Sequence, residues 1–356
     1  MTTTTRLYPH GLWAAALSLF ATSCLTAAPP ASLRTEASLV RANSQAEAEL
    51  ISDLVERLRP RLLSLVPDSR LDPDVEVWVQ DEPSLYAFPS HAHSDAEGLW
   101  SADHGRILLA RDAEDIERTL AHEMTHAALG SSWKALPGSM EEGLCDLVSG
   151  HLCPRGATRL RAGRLCSAAL ASGGLRMRLE LRVDGDPNKV LWTSRLVLTA
   201  REKQEGGVMQ VFQMQAGLSS TKLESGAKRG YYGLAYLVAS RIVERHGMEG
   251  LQSLCATAQE KGYRLVPANW LLEAAELDRN DATWRRASAM SLSHREVTDL
   301  LRIYPDVIGG AVEDVRTSLG TALAGREDIS MWAIPEEGQV EVELSLPSAM
   351  VQMASN

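Results

Sequence analysis

The sequence predicts an α+β protein, on three observations. Apolar residues alternate with polar ones in short runs bounded by proline and glycine, elsewhere they recur at three- and four-residue spacing, and the two kinds of segment are grouped rather than regularly interleaved. The chain has 356 residues, 45% hydrophobic and 23% charged, which is enough to bury a core and ordinary for a folded domain. Its formal net charge of −10 argues against a nucleic-acid partner, because phosphate binding needs a positive surface that displaces counterions.

The first 23 residues read as an export signal, with Arg6 as the basic start and an apolar stretch at 11–22 too short to span a bilayer. The stretch ends in Ala21-Thr22-Ser23-Cys24, which resembles a bacterial lipobox and would make Cys24 the lipidation site. Ordinary cleavage near Ala27 or Ala28 is the alternative. Either way the expectation is an exported bacterial protein, periplasmic or at the cell surface, touching a membrane only through a lipid anchor. Residues 24–43, rich in Ala, Pro, Ser and Thr, suit a linker.

Ordered structure is expected from Ser44. Leu50, Leu54, Val55, Leu58, Leu62 and Leu65 follow helical spacing over 44–66, with Ser44 and Glu47 as a capping box and Pro60 as a kink or restart. Val75, Val77 and Val79 alternate with polar neighbours and predict a strand over 75–80; a second is expected at 85–88. Residues 97–110 read as a hairpin, extended at 98–101 and 106–110 around an Asp103-His104-Gly105 turn. A helix over 116–129 opens on an acidic turn and stops at Gly130. Pro137-Gly138 breaks the chain before a second helix over 139–152.

Beyond it, Arg155, Arg159, Arg161 and Arg164 read as a solvated helix face. Alternation at 175–183, 190–199 and 208–214, with glycine-containing turns between, predicts a three-stranded antiparallel meander. Helices resume at 231–246 and 248–261, shorter ones follow to about 318, and 340–346 reads as a last strand. The expected organisation is a sheet-and-helix subdomain at 44–152, a mainly helical subdomain at 153–330 and a tail at 331–356. Cys145, Cys153, Cys166 and Cys255 allow up to two bridges in an oxidising compartment, or buried thiols.

The chemistry lies in His122-Glu123-Met124-Thr125-His126, an HExxH inside the first of the two central helices. Residues four apart differ by about 400° of rotation, so His122 and His126 leave one face and can share a Zn²⁺. Glu123 stands on the neighbouring face, where it can act as general base toward a water at that place. A third ligand is then needed. The continuation that marks a metzincin, Gly three and His six residues on, is absent; Leu129 and Ser132 stand there.

Leu136-Pro137-Gly138-Ser139-Met140-Glu141-Glu142-Gly143-Leu144-Cys145-Asp146 instead resembles the gluzincin metallopeptidases, in particular bacterial peptidase MA-like families, over about residues 75–261. The resemblance implies a zincin-like fold, a zinc ion held by His122, His126 and Glu142, and Asp146 orienting the ring of His122. Glu141, adjacent to the ligand, and His151 further on are the other ligand candidates. The Tyr231-Tyr232-Gly233 opening of the later helix implies Tyr232 as a donor to an oxyanion. The strand at 106–110 would be a sheet edge that takes extended substrate.

The function so implied is zinc-dependent hydrolysis of peptide bonds in a peptide or protein substrate. Two other classes stand beside it: a tethered, non-catalytic binding or scaffolding protein on the same fold, and a metal-free fold in which the motif is accidental. Glu123 speaks against the non-catalytic reading, since a structural zinc requires no base.

Overall fold

The computed structural model describes residues 29–81, 97–171, 175–184, 191–200, 212–213, 216, 225–277 and 281–305. The expected export signal, Cys24, the strand at 85–88, the tail and the strand at 340–346 lie outside them. The chain is mixed α and β, a small mixed sheet and several helices, in two compact units. The first comprises residues up to 57 and 72–120, the second 58–71 and everything from 121. The line between the two units falls between Leu120 and Ala121, inside the motif helix. Helix periodicity continues across that point, so nothing local in the sequence marks it.

The first unit is built on a five-stranded sheet. Strand β1 (Ala31–Arg34) pairs antiparallel with β2 (Leu39–Ala42), and helix α1 (Gln45–Leu65) then crosses to β3 (Glu76–Gln80), which lies parallel to β2. Strands β4 (Gly98–Ser101) and β5 (Arg106–Ala110) form the expected hairpin, with β5 parallel to β3, giving the order β1-β2-β3-β5-β4. Two expectations are corrected here. Residues 24–43 are not wholly linker, since β1 and β2 lie within them; each is four residues long, too short for alternation to register. The strand at 106–110 is interior, and the edges are β1 and β4; backbone pairing on both sides of β5 leaves it no free hydrogen-bonding row.

Helix α1 is continuous through Pro60. Its start is capped as expected from Ser44, whose hydroxyl accepts from the Glu47 amide, while the Glu47 carboxylate accepts from the Asn43 amide. In this unit Ile51 and Val55 are buried, as are Val40, Val77, Val79, Ile107 and Leu109 of the sheet.

The second unit takes residues 121–128 of helix α2 (Ile116–Ala128), then α3 (Gly138–Leu152) and α4 (Ala157–Ala171). Strands β6 (Leu175–Asp184) and β7 (Leu191–Ala200) pair antiparallel over their full lengths. A long helix α5 (Ser225–Glu260) follows, broken at Gly247, so the two helices expected at 231–246 and 248–261 meet end to end. Helices α6 (Ala268–Ala274) and α7 (Asp281–Ser288), strand β8 (Met290–Ser291) and helix α8 (His294–Ile303) complete it.

The meander is corrected in its third strand. The partner of β7 is β8, on Arg195 and Leu196, and within 208–214 the described Phe212 and Gln213 are helical. Alternation marked a candidate strand there, but a pairing with residues nearly a hundred positions on is beyond any local pattern.

Both α3 and α4 pack against α5. The α3 contact is close: a Cβ at Gly143 would stand 2.4 Å from the Ala235 carbonyl oxygen, a distance no side chain can take. Gly143 therefore lets α3 settle onto α5 and fixes the height at which the neighbouring Glu142 projects. Among the described residues no helix is long and apolar enough to cross a membrane.

Candidate metal centre

Two helices bring the ligand candidates together. Helix α2 carries His122 and His126 one turn apart, and the polar Thr125 between them is buried with its hydroxyl donating to the Ala121 carbonyl at 2.7 Å, so the helix satisfies its own polar group. Helix α3 begins after Pro137 and carries Glu141, Glu142, Cys145 and Asp146 within two turns. All of these residues from Ala121 onward belong to the second unit.

His122 Nε2, His126 Nε2 and Glu142 Oε2 form a triangle. The two nitrogens are 3.2 Å apart, and the carboxylate oxygen lies 3.3 Å from His122 and 3.4 Å from His126. Donors about 2.0–2.1 Å from one tetrahedral centre stand about 3.3–3.4 Å from each other, so the triangle has the size of one face of such a site. His122, His126 and Cys145 also form a cluster, with donor atoms within 4.8 Å of one another, that could bind a metal ion. The two sets share both imidazoles and differ in whether Glu142 or Cys145 stands third.

Each imidazole is held from its other nitrogen. His122 Nδ1 is 3.1 Å from Asp146 Oδ1, and His126 Nδ1 is 2.7 Å from Glu141 Oε1. Asp146, four residues after Glu142, thus faces the ring of His122. Glu141, considered only as a rival ligand, contacts the far side of His126, which leaves His126 Nε2 toward Glu142. His151 is exposed on the last turn of α3.

The electrostatics follow from this crowding of opposite charges in a buried place. Burial opposes a charge on His122, but Asp146 and Glu142 outweigh it and raise its pKa to about 9. Burial likewise opposes charge on His126, and Cys145, Glu142 and Glu141 outweigh it, so its pKa stands well above the ordinary histidine value. Glu142 shows the converse: burial alone would raise it, and the two imidazoles instead lower it to about 2. Asp146 is held below the usual carboxylate range against the effect of its burial, by Arg164 first and His122 second. The Cys145 thiol is pushed up to about 12 by burial, only partly offset by His126.

Glu123 is buried on α2 beside His122 and contributes to raising that imidazole's pKa. Tyr232 is half-buried, with its ring 5.0 Å from the Arg164 guanidinium and edge-on to Tyr231. Burial raises the Tyr231 pKa, with smaller electrostatic contributions from Glu142, Tyr232 and Glu141. Sequence reasoning pointed to Tyr232 alone. Arg164, in sequence part of a solvated basic face, instead grips the fully buried Asp146. The four expected cysteines Cys145, Cys153, Cys166 and Cys255 are buried free thiols.

No family model, no curated protein and no solved structure matches this chain.

Proposed function

We propose that this protein is a zinc metallopeptidase of the gluzincin type, with a zincin-like arrangement of its helices. The observation that carries the reading is the triangle of His122 Nε2, His126 Nε2 and Glu142 Oε2, with edges of 3.2 to 3.4 Å and a carboxylate on the Nδ1 of each histidine. Two imidazoles and one carboxylate suit Zn²⁺ and leave a fourth position open for water or substrate. Zinc held there would supply an acidified water and a Lewis acid for a carbonyl.

The chain's own groups do the rest. His122, His126 and Glu142 hold the ion, and Asp146 and Glu141 keep each imidazole in the tautomer whose Nε2 is a free donor pair. Glu123, one position along α2 from His122, takes the proton of the attacking water and delivers it to the departing amine nitrogen. A hydroxyl from the tyrosine pair opening this stretch of α5, with Tyr232 the residue inferred from sequence, would donate to the developing oxyanion. The substrate class is a peptide or protein. The sequence-based expectation of export and a lipid anchor at Cys24 belongs to the same proposal and is tested by labelling with a radioactive fatty acid beside Cys24→Ser.

The test is zinc content and general peptidase activity of the purified protein beside Glu123→Gln. The expected result is one zinc per chain in both proteins and cleavage by the unsubstituted one, lowered by at least about 10²-fold in the variant. Zinc in both with cleavage in neither returns the tethered binding protein, and absence of zinc from well-folded protein overturns the metal reading.

A further inference from the structure

We propose that Arg164 is a positioning residue for the metal centre, acting through Asp146 to fix the imidazole of His122. This rests on the reading of His122, His126 and Glu142 as metal ligands.

Asp146 has no exposed surface, and a lone carboxylate there would cost several kcal/mol. Arg164, from α4, answers it with both arms of its guanidinium: Nε donates to Oδ2 at 2.5 Å and Nη2 to Oδ1 at 2.9 Å. A two-point fork fixes the plane of a carboxylate as well as neutralising it. Oδ1 is the shared atom, since it also faces His122 Nδ1 at 3.1 Å. The direction in which Asp146 accepts from the imidazole is therefore set by Arg164. The ring of His122 then carries that direction to Nε2, on the metal side.

Arg164 is itself held from two sides. Its backbone carbonyl lies against α5 at Gly233, where a Cβ would come within 2.1 Å of that oxygen, and its guanidinium sits 5.0 Å from the ring of Tyr232. Consecutive residues of α5 thus seat the main chain and the side chain of Arg164. The line from Tyr232 through Arg164, Asp146 and His122 runs through four helices of the second unit. The arginine lies 18 positions from Asp146 in sequence, on a different helix.

The proposal is tested by equilibrium competition for Zn²⁺ against a chromogenic chelator at one pH. The proteins are the unsubstituted chain, Arg164→Met, Arg164→Lys, Asp146→Asn and the double variant, each checked for folding by circular dichroism. The expected result is a loss of about 10- to 100-fold in zinc affinity for Arg164→Met and for Asp146→Asn. Lysine keeps the charge but not the fork, so Arg164→Lys falls between. The double variant is expected to bind no more weakly than Asp146→Asn alone, because Arg164 has no route to the metal once its carboxylate is gone.

Arg164→Lys with full affinity overturns the role, as does a further loss from Arg164→Met in the Asp146→Asn background. Should Arg164→Met fail to fold, Arg164→Lys and the Asp146→Asn pair, which leaves no lone buried carboxylate, decide the matter alone. Failure of the underlying reading looks different: the unsubstituted chain itself then takes up no zinc, and the positioning role falls with it.

Discussion

The two histidines of the motif are alike in sequence and differ in what holds them. His122 leans on a fully buried aspartate backed by an arginine, His126 on a glutamate whose side chain is about one-third exposed. The first arrangement is stiff and its charge is compensated; the second is open to solvent screening. Asp146→Asn is therefore expected to weaken zinc binding more than Glu141→Gln, a ranking that the same chelator competition reads out. A pH dependence follows from His122. In metal-free protein its pKa is raised from 6.5 to about 9, so the stability it contributes is fully present below about 6.5 and is lost as pH rises through 9. Urea midpoints of chelator-treated protein are expected to fall across that window. Zinc affinity is expected to rise over the same interval, because the ion binds the neutral imidazole and must displace a proton below it. Midpoints that stay level from pH 6.5 to 9 would contradict a charged His122.

At the scale of elements, the candidate metal centre depends on how closely α3 lies against α5. Gly143→Ala places a methyl group 2.4 Å from the Ala235 carbonyl oxygen, and neither backbone can yield without separating the helices. A destabilisation of about 1–3 kcal/mol is expected, as for overpacked cores, with weaker zinc binding because Glu142 moves with its helix. Gly150→Ala, two turns along the same helix, meets nothing nearer than 3.6 Å and is expected to be neutral or slightly stabilising. Denaturant unfolding of the two variants separates close approach from helix propensity. The alternation of the sheet strands and the capping of α1 were legible in sequence because each depends on residues a few positions apart. Strands β1 and β2 were not: four residues each, they gain their structure from pairing with each other and with β3.

For the whole molecule, the proposed metal site would link binding to stability, since an ion that binds only the folded state stabilises it by mass action. Under the proposed reading, free zinc at a thousand times its Kd would contribute about 4 kcal/mol, a rise in melting temperature on the order of 10 °C for a unit of this size. Calorimetry with chelator and then with zinc restored is expected to show that shift reversing. The four buried thiols are expected to react with a thiol reagent only after denaturation and without prior reduction; fewer than four reactive groups among Cys145, Cys153, Cys166 and Cys255 would mean that bridges form.

By itself the sequence determined the α+β class, most helix spans, the hairpin, and the ligand candidates His122, His126 and Glu142 with Asp146 one turn further on. These are consequences of fixed residue spacing on a helix or strand, which the covalent chain imposes whatever surrounds it. The tertiary structure alone decided that β5 is interior, that β8 completes the second sheet, that the two units divide within α2, and that Arg164 leaves its basic run to meet Asp146. Each of these joins residues far apart in the chain, and such pairings depend on the sum of many weak contacts that no local pattern records.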